Sequence, residues 1–287
     1  MSTSALSTAI DTSVKKADML KNDLKKFWTK AMLAGVYISF AVVFAFRIGD
    51  AFRATGSPAT SLIGGMTFSL ALVLIVIGGG ELFTGNTMYM TMGSLDQKTS
   101  LKETLYVWGV TYLGNLIGVL FFTFLFVQTG LFKDIPADHY LFSAVTGKIG
   151  LTTGEMFFRG ILCNWLVCLA IWLPLQTDNF AAKVMLIMMT VTSFFVSGYE
   201  HSIANMALFS ISLSVPHPDT ITLTGAAFNL LIVSLGNIVG GGLFVGATNW
   251  YVNRQGIKKS AERPPSDVQT GAPRNEIKET RRGTSRC

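Results

Sequence analysis

The sequence predicts an all-α membrane protein with six transmembrane helices in an inverted 3+3 repeat, in which helices two and five are broken at the membrane midplane. Three observations support this. Half of the 287 residues are hydrophobic and only 14 % are charged, whereas soluble domains carry about 25 % charged residues. The apolar residues gather in six long segments, and similar short words recur in the same order in both halves.

An amphipathic helix is predicted ahead of the first apolar segment. Between residues 9 and 27, apolar side chains recur at steps of three and four, with lysines on the opposite face. This spacing is typical of a helix with one apolar face. We therefore assign residues 1–28 to a cytoplasmic helix and expect it to lie at the lipid interface.

Six apolar segments follow, and each reaches the ~20 residues that cross a bilayer core. Polar words interrupt segment two ("GGGELFTGN", 78–86) and segment five ("SGYEHSIAN", 197–205). We assign residues 29–252 to a transmembrane channel domain and 253–287, which are polar and rich in Pro and Arg, to a disordered basic cytoplasmic tail. The segments lie near residues 29–50, 62–92, 105–129, 156–176, 184–214 and 223–252.

The basic residues predict which side of the membrane each end occupies. Of the 23 Lys and Arg residues, 15 lie in the two polar ends of the chain. Because basic flanks stay in the cytoplasm, both termini are predicted there, which requires an even number of spans. The charge follows from topology and requires no nucleic-acid partner. The loops predicted outside carry only Arg47, Arg53, Lys133 and Lys148.

Paired words relate the two halves of the chain. "LGNLIG" (113–118) in segment three matches "LGNIVG" (235–240) in segment six, and "FWTKAML" in segment one matches "FFRGIL" in segment four. Since each half has three spans, the second half must enter the membrane from the opposite side. Inverted repeats of this kind are typical of channels and transporters.

The two breaks predict a lined cavity at the membrane midplane. Unsatisfied backbone groups are costly in hydrocarbon, so a helix breaks only where protein or water covers it. If the second half-helices begin near Thr84 and His201, their positive ends face each other. Such a site favours a small anion.

The side chains at the breaks have different predicted roles. His201 can change charge near neutral pH, so we expect it to line the pore and exchange a proton. Glu81 and Glu200 are expected to cap the broken helices by accepting backbone N–H bonds. Asn86, Asn205, Asn115 and Asn237 are expected to satisfy freed backbone groups. Lys148, near the outer side, either extends toward the interface or raises the local anion concentration.

With "GGGELFTGNT", "SGYEHSIANM" and the paired "LGN" words, the sequence resembles the formate/nitrite transporter family over residues 10–252. The resemblance implies an aquaporin-like fold in the bacterial cytoplasmic membrane, assembled as a homopentamer with one pore per protomer. It places the central pore histidine at His201, a pore threonine at Thr84, a pore asparagine at Asn164 and a vestibule lysine at Lys148. It implies two apolar constrictions, one formed by Leu82, Phe83 and Val167, the other by Phe68, Leu72 and Phe194.

These residues suggest passage of a small monovalent anion together with a proton. Apolar rings exclude hydrated ions, so formate or nitrite would take up a proton at or near His201. It would then cross as the neutral acid, or as an anion accompanied by a proton. The sequence does not choose between formate and nitrite, and hydrosulfide, acetate and lactate stay possible. The word "FFRGILCNWLVCLAIW" resembles the nitrite branch.

Three other function classes were weighed. An aquaporin-like water or neutral-solute channel shares the six-span plan, but the two breaks lack its Asn-Pro-Ala words. A membrane-embedded enzyme could use Glu200 and His201, but one adjacent pair is a poor metal site and no HExxH word accompanies it. A purely structural membrane protein would not need the breaks. We therefore predict a transporter that is not an enzyme, without a metal or cofactor.

Overall fold

The computed structural model describes residues 2–261, and the side-chain surroundings of residues 5–255. The described chain is helical, with short connections and no strand. A 3-10 turn covers Leu173–Gln176 and a π-helix covers Val239–Ala247. The helices α1 to α12 cover, in order, Ser2–Asn22, Leu24–Ala54, Thr60–Phe68, Leu70–Gly78, Phe83–Leu95, Leu101–Gln128, Tyr140–Ile149, Thr153–Trp172, Phe180–Val196, Ser202–Leu213, Leu223–Ile238 and Thr248–Ala261.

Within residues 2–261, five helical stretches are long and apolar enough to cross a membrane. The fifth predicted segment is instead divided between two shorter apolar helices, α9 and α10. All six predicted apolar segments are therefore helical, and the chain is a multi-pass, all-helical membrane protein. The five long stretches are Leu24–Ala54, Thr60–Gly78, Leu101–Gln128, Thr153–Gln176 and Leu223–Gln255.

Both helix breaks lie where the polar words predicted them. Helix α4 ends at Gly78, and Gly79 adopts a left-handed φ of 78° before α5 begins at Phe83. In the second half α9 ends at Val196, Gly198 adopts a φ of 71°, and α10 begins at Ser202. Glycine takes this conformation without the steric penalty of a side chain. The chain is thus non-helical over only a few residues at each break.

The paired "LGN" words mark two equivalent helix crossings. A Cβ atom on Gly118 of α6 would lie 2.0 Å from the backbone oxygen of Met32 in α2. A Cβ atom on Gly240 would lie 2.2 Å from the backbone oxygen of Ile161 in α8. Small residues let membrane helices approach this closely. The same kind of close contact therefore packs the helices within each half.

The N-terminal helix differs from its prediction. Helix α1 ends at Asn22, and the Asp23 side chain caps α2 by accepting from the Lys26 N–H, so the predicted boundary at 28/29 falls inside α2. The apolar face of α1 does not lie at a lipid interface. It packs against α5 and the end of α8, and its buried residues Ala5, Leu6, Ala9 and Ile10 contact Met88, Met92, Ile171 and Trp172.

The far end of the chain also departs from the prediction. Helix α12 continues to Ala261, so the first part of the segment 253–287 is helical rather than disordered. Residues 262–287, where the rest of the predicted tail falls, lie outside the described range. Trp250 donates to an Asp96 carboxylate oxygen (3.2 Å), which joins α12 to the end of α5.

Candidate functional site

Two asparagines, one from each "LGN" word, hold the two breaks in the same way. Asn115 Oδ1 accepts from the Phe83 N–H (3.0 Å), and its Nδ2 donates to the carbonyl oxygens of Ala31 and Glu81 (both 2.8 Å). The side chain is fully buried. It satisfies backbone groups that the end of α4 and the start of α5 leave without helical partners.

Asn237 makes the corresponding bonds in the second half. Its Oδ1 accepts from the Ser202 N–H (2.9 Å), and its Nδ2 donates to the carbonyl oxygens of Gly160 (2.8 Å) and Glu200 (3.0 Å). Ala31 and Gly160 occupy matching places in the words "FWTKA" and "FFRG". The sequence repeat is thus reproduced in the hydrogen bonds.

The two glutamates do not cap helices, contrary to expectation. Glu81 is 4 % exposed, and its Oε2 accepts from Lys16 Nζ and Asn86 Nδ2. Glu200 is 2 % exposed; its Oε1 accepts from Lys148 Nζ at 2.8 Å. A buried carboxylate needs a cation and hydrogen bonds to offset desolvation, and lysine supplies both.

The remaining break asparagines bind side chains rather than backbone. Asn86 Nδ2 also donates to Thr111 Oγ1 (3.0 Å). Asn205 Nδ2 donates to Glu200 Oε2 (2.6 Å) and Asn229 Oδ1 (2.9 Å). Each asparagine therefore orients the glutamate of its own break, which revises the predicted backbone role.

His201 caps α10 and faces Thr84 of the other half. Its Nδ1 accepts from the Ala204 N–H (3.1 Å), and its Nε2 lies 3.1 Å from Thr84 Oγ1. Because Nδ1 is occupied as an acceptor, the proton of the neutral imidazole is on Nε2 and is donated to Thr84. Phe194 stacks on the ring at 6.0 Å. The capping role assigned to Glu200 thus belongs to His201.

A narrow apolar chamber lies beside His201. Its volume is about 10 Å³, which is room for about one water molecule. Four further residues that were not predicted line it: Ile38, Ala71, Ile75 and Val191. Ala71 and Ile75 lie four residues apart on α4 and therefore share a face of that helix, a spacing from which they could have been predicted. Five of the predicted constriction residues, Phe68, Leu72, Leu82, Val167 and Phe194, line the chamber together with His201.

Wider cavities flank the chamber. The outer cavity, on the side predicted outside, has a volume of about 330 Å³ and shares Phe68, Phe194 and His201 with the chamber. The inner cavity, about 260 Å³, shares Ile75 and Leu82 with it. The three spaces therefore form a wide, narrow and wide series through the protein.

Three predicted residues lie outside this series: Phe83, Asn164 and Thr84, whose side chain is fully buried. Phe83 is not among the chamber lining, and its ring packs edge-on against Tyr112 at 5.0 Å. Asn164 is fully buried and lines none of the three cavities. Its Nδ2 lies 3.2 Å from the Thr84 carbonyl oxygen and 2.6 Å from that of Asn237. Asn164 therefore supports the Thr84 turn from behind.

Cations line both wide cavities. The outer cavity contains Lys148 and Arg159, and the inner cavity contains Lys16, Lys30 and Lys183. Of these five residues, only Lys148 was predicted to have such a role. Lys16 was missed because it belongs to an amphipathic helix whose lysines were assigned to the solvent face. Within the described residues, no three His, Cys, Asp or Glu side chains lie close enough together to hold a metal ion.

The chain is similar to known proteins over most of its length. The family model "Formate/nitrite transporter" matches residues 3–251. The Bacillus subtilis protein "Uncharacterized transporter YwcJ" is 40 % identical over 253 residues, covering 88 % of this chain and 99 % of the relative. "Nitrite transporter NirC" of Escherichia coli is 37 % identical over 268 residues, covering 93 % and 96 %.

Solved structures are similar over most of the chain. An "FNT family ion channel" has a TM-score of 0.82 at 35 % identity and covers 86 % of this chain and 98 % of its own. A "Pentameric formate channel with formate bound" has a TM-score of 0.68 at 32 % identity and covers 79 % and 96 %. The family model describes transporters, not enzymes. This chain belongs to the formate/nitrite transporter family.

Proposed function

We propose that this protein conducts small monovalent anions, formate or nitrite, through the chamber beside His201. One observation carries the proposal: His201, whose Nε2 lies 3.1 Å from the hydroxyl of the buried Thr84, lines a constriction of about 10 Å³ between two cation-lined cavities. The cations attract an anion to either mouth. The apolar lining removes its water, and among the residues of that lining His201 is the one with a polar side chain.

The fold that we propose around this site is an aquaporin-like inverted 3+3 repeat of six spans. Span two is made of α3, α4 and α5, and span five of α9 and α10. The matched asparagine bonds of Asn115 and Asn237 and the matched crossings at Gly118 and Gly240 support this assignment. Both termini are placed in the cytoplasm, and the membrane is proposed to be the bacterial inner membrane.

The chamber favours passage as a neutral acid. A dehydrated anion among apolar side chains carries a large desolvation penalty, whereas formic or nitrous acid carries a much smaller one. The anion takes up a proton at or near His201. A second proton on His201 itself must bind at Nδ1, where it displaces the Ala204 N–H. Proton exchange is therefore coupled to the cap of α10.

The choice of anion follows from the relatives. One solved neighbour is named as a formate channel with formate bound, and several relatives are named as nitrite transporters. Both anions are small and bent and present two oxygens. The homopentamer is proposed for this chain because that neighbour is pentameric.

Flux measurements on purified protein in proteoliposomes test the proposed function. We expect uptake of labelled formate and of nitrite well above that of empty vesicles, and faster at acidic than at alkaline pH. Stopped-flow swelling of the same vesicles measures water permeability. Rapid water flux without formate or nitrite uptake would contradict the proposal and support a neutral-solute channel.

A further inference from the structure

Two cationic side chains line the outer cavity, and one of them is already paired with a carboxylate. Lys148 Nζ lies 2.8 Å from Glu200 Oε1, and the Lys148 side chain is 19 % exposed. Glu200 is almost completely buried and also accepts from Asn205. An arriving anion would have to compete with this carboxylate for the lysine. Glu200 therefore largely neutralises the positive charge of Lys148, which weakens the attraction of Lys148 for a substrate anion.

Arg159 lines the same cavity in a different state. Its side chain is 41 % exposed, and its nearest acid is Glu155, one helical turn earlier at 3.7 Å. That distance exceeds a hydrogen bond. Glu155 Oε2 is already occupied by the Thr152 N–H and hydroxyl (both 2.8 Å), which form the N-cap of α8. Within the described residues, the Arg159 guanidinium therefore has no carboxylate within hydrogen-bond distance.

The backbone fixes Arg159 beside the break. Its carbonyl oxygen accepts from the Glu200 N–H at 3.3 Å. Lys30 occupies the matching place in the first half: its carbonyl oxygen accepts from the Glu81 N–H at 3.0 Å, and it lines the inner cavity. Each cavity thus has one lysine bound by the break glutamate and a second cation anchored through its backbone. This recurrence indicates a site rather than an incidental surface arginine.

We propose that Arg159 is the residue that first binds the anion at the outer mouth, with Lys148 acting mainly to hold Glu200. The inference rests on the proposed function. A guanidinium presents two parallel N–H groups that match the two oxygens of formate or nitrite, which an ammonium cannot do. Arg159 therefore selects two-oxygen anions before they reach the constriction.

Sided flux measurements test this proposal. Labelled formate uptake is measured in right-side-out and inside-out membrane vesicles carrying wild type, Arg159→Gln, Arg159→Lys or Lys133→Gln. The last variant removes an exposed outer-loop charge away from the cavity and serves as the matched control. In right-side-out vesicles we expect Arg159→Gln to raise the half-saturating concentration about two- to fivefold, the range for a partly exposed ion pair, with an unchanged maximum rate.

The variants give distinct outcomes. Arg159→Lys should recover only part of the affinity, and inside-out vesicles should show no change. Equal half-saturation for Arg159→Gln and Lys133→Gln would overturn the proposal, as would an equal rise in both orientations, which indicates a structural role. Wild-type affinity in Arg159→Lys would overturn two-oxygen recognition. If wild-type vesicles took up no more formate than vesicles lacking the protein, the proposed function would fail and this inference with it.

Discussion

At the residue scale, the two nitrogens of His201 have separate tasks. Nδ1 accepts the Ala204 N–H and starts α10, while Nε2 faces Thr84 and the chamber. His139, outside the membrane-spanning helices, shows the same use of an imidazole: its Nδ1 accepts from the Leu141 N–H, and burial lowers the pKa of His139. Because Nδ1 must be unprotonated to accept the capping N–H, this use of an imidazole favours its neutral form.

The buried ion pair Lys16–Glu81 is a second residue-scale feature. Removing one partner leaves the other charge unpaired in a buried site, which costs about 3 kcal/mol. We therefore expect Glu81→Gln and Lys16→Met each to lower the apparent melting temperature in detergent. The double variant should melt higher than Glu81→Gln alone, because no unpaired charge remains.

A thermal-shift series measures this coupling, with Asp178→Asn as the control that neutralises an exposed acid. The control should melt like wild type. Strictly additive losses in the double variant would show that the pair is not coupled and that the contact has another role.

The sequence identified both glutamates but not what they bind. The word "GGGELFTGN" shows that Glu81 lies in a break, yet its partner Lys16 is 65 positions away on a separate helix. Periodicity gives a helix one apolar face but cannot show that a second protein surface covers its lysine. Lys148 was predicted as an outer cation, from its position and from the resemblance, but its bond to Glu200 emerges only from the three-dimensional arrangement.

At the element scale, the helix crossings depend on glycines in the "LGN" words. Gly118→Ala would place a methyl group 2.0 Å from the Met32 carbonyl oxygen, a backbone atom that cannot move alone. We expect a loss of stability of about 1–3 kcal/mol or more. The control is Gly109→Ala on the same helix, where a Cβ atom meets nothing within 4 Å.

Detergent-solubilised yield and melting temperature compare these two variants. Gly118→Ala should fold poorly, while Gly109→Ala should match or exceed wild type because alanine favours a helix interior. Equal behaviour of both variants would mean that α2 and α6 do not approach as closely as described.

Element positions were more predictable than element ends. Hydropathy located all six apolar segments, because about 20 apolar residues are needed to cross the bilayer. It could not place the break between α1 and α2 at Asp23, since the side-chain cap on Lys26 has no signature in average hydropathy. The π-helix Val239–Ala247 was missed for the same reason: its composition is that of an ordinary apolar helix.

At the scale of the whole molecule, two wide cavities lined by cationic side chains lie on either side of a narrow apolar chamber, along one path. Cations occupy both wide cavities, and the narrow chamber between them is apolar except for His201. This arrangement concentrates anions at the mouths and excludes hydrated ions at the centre. The predicted Asn164, Phe83 and Thr84 do not line the path, because resemblance carries over positions but not the direction in which a side chain points.

The pH dependence of formate flux in His201→Asn proteoliposomes tests the central claim most directly. Asparagine can still cap α10, but it carries no titratable proton. Once flux is normalised to the concentration of formic acid, the wild type should keep a pH dependence that the variant lacks, at an unchanged melting temperature. The same residual pH dependence in a folded His201→Asn protein would contradict the role of His201 in proton exchange.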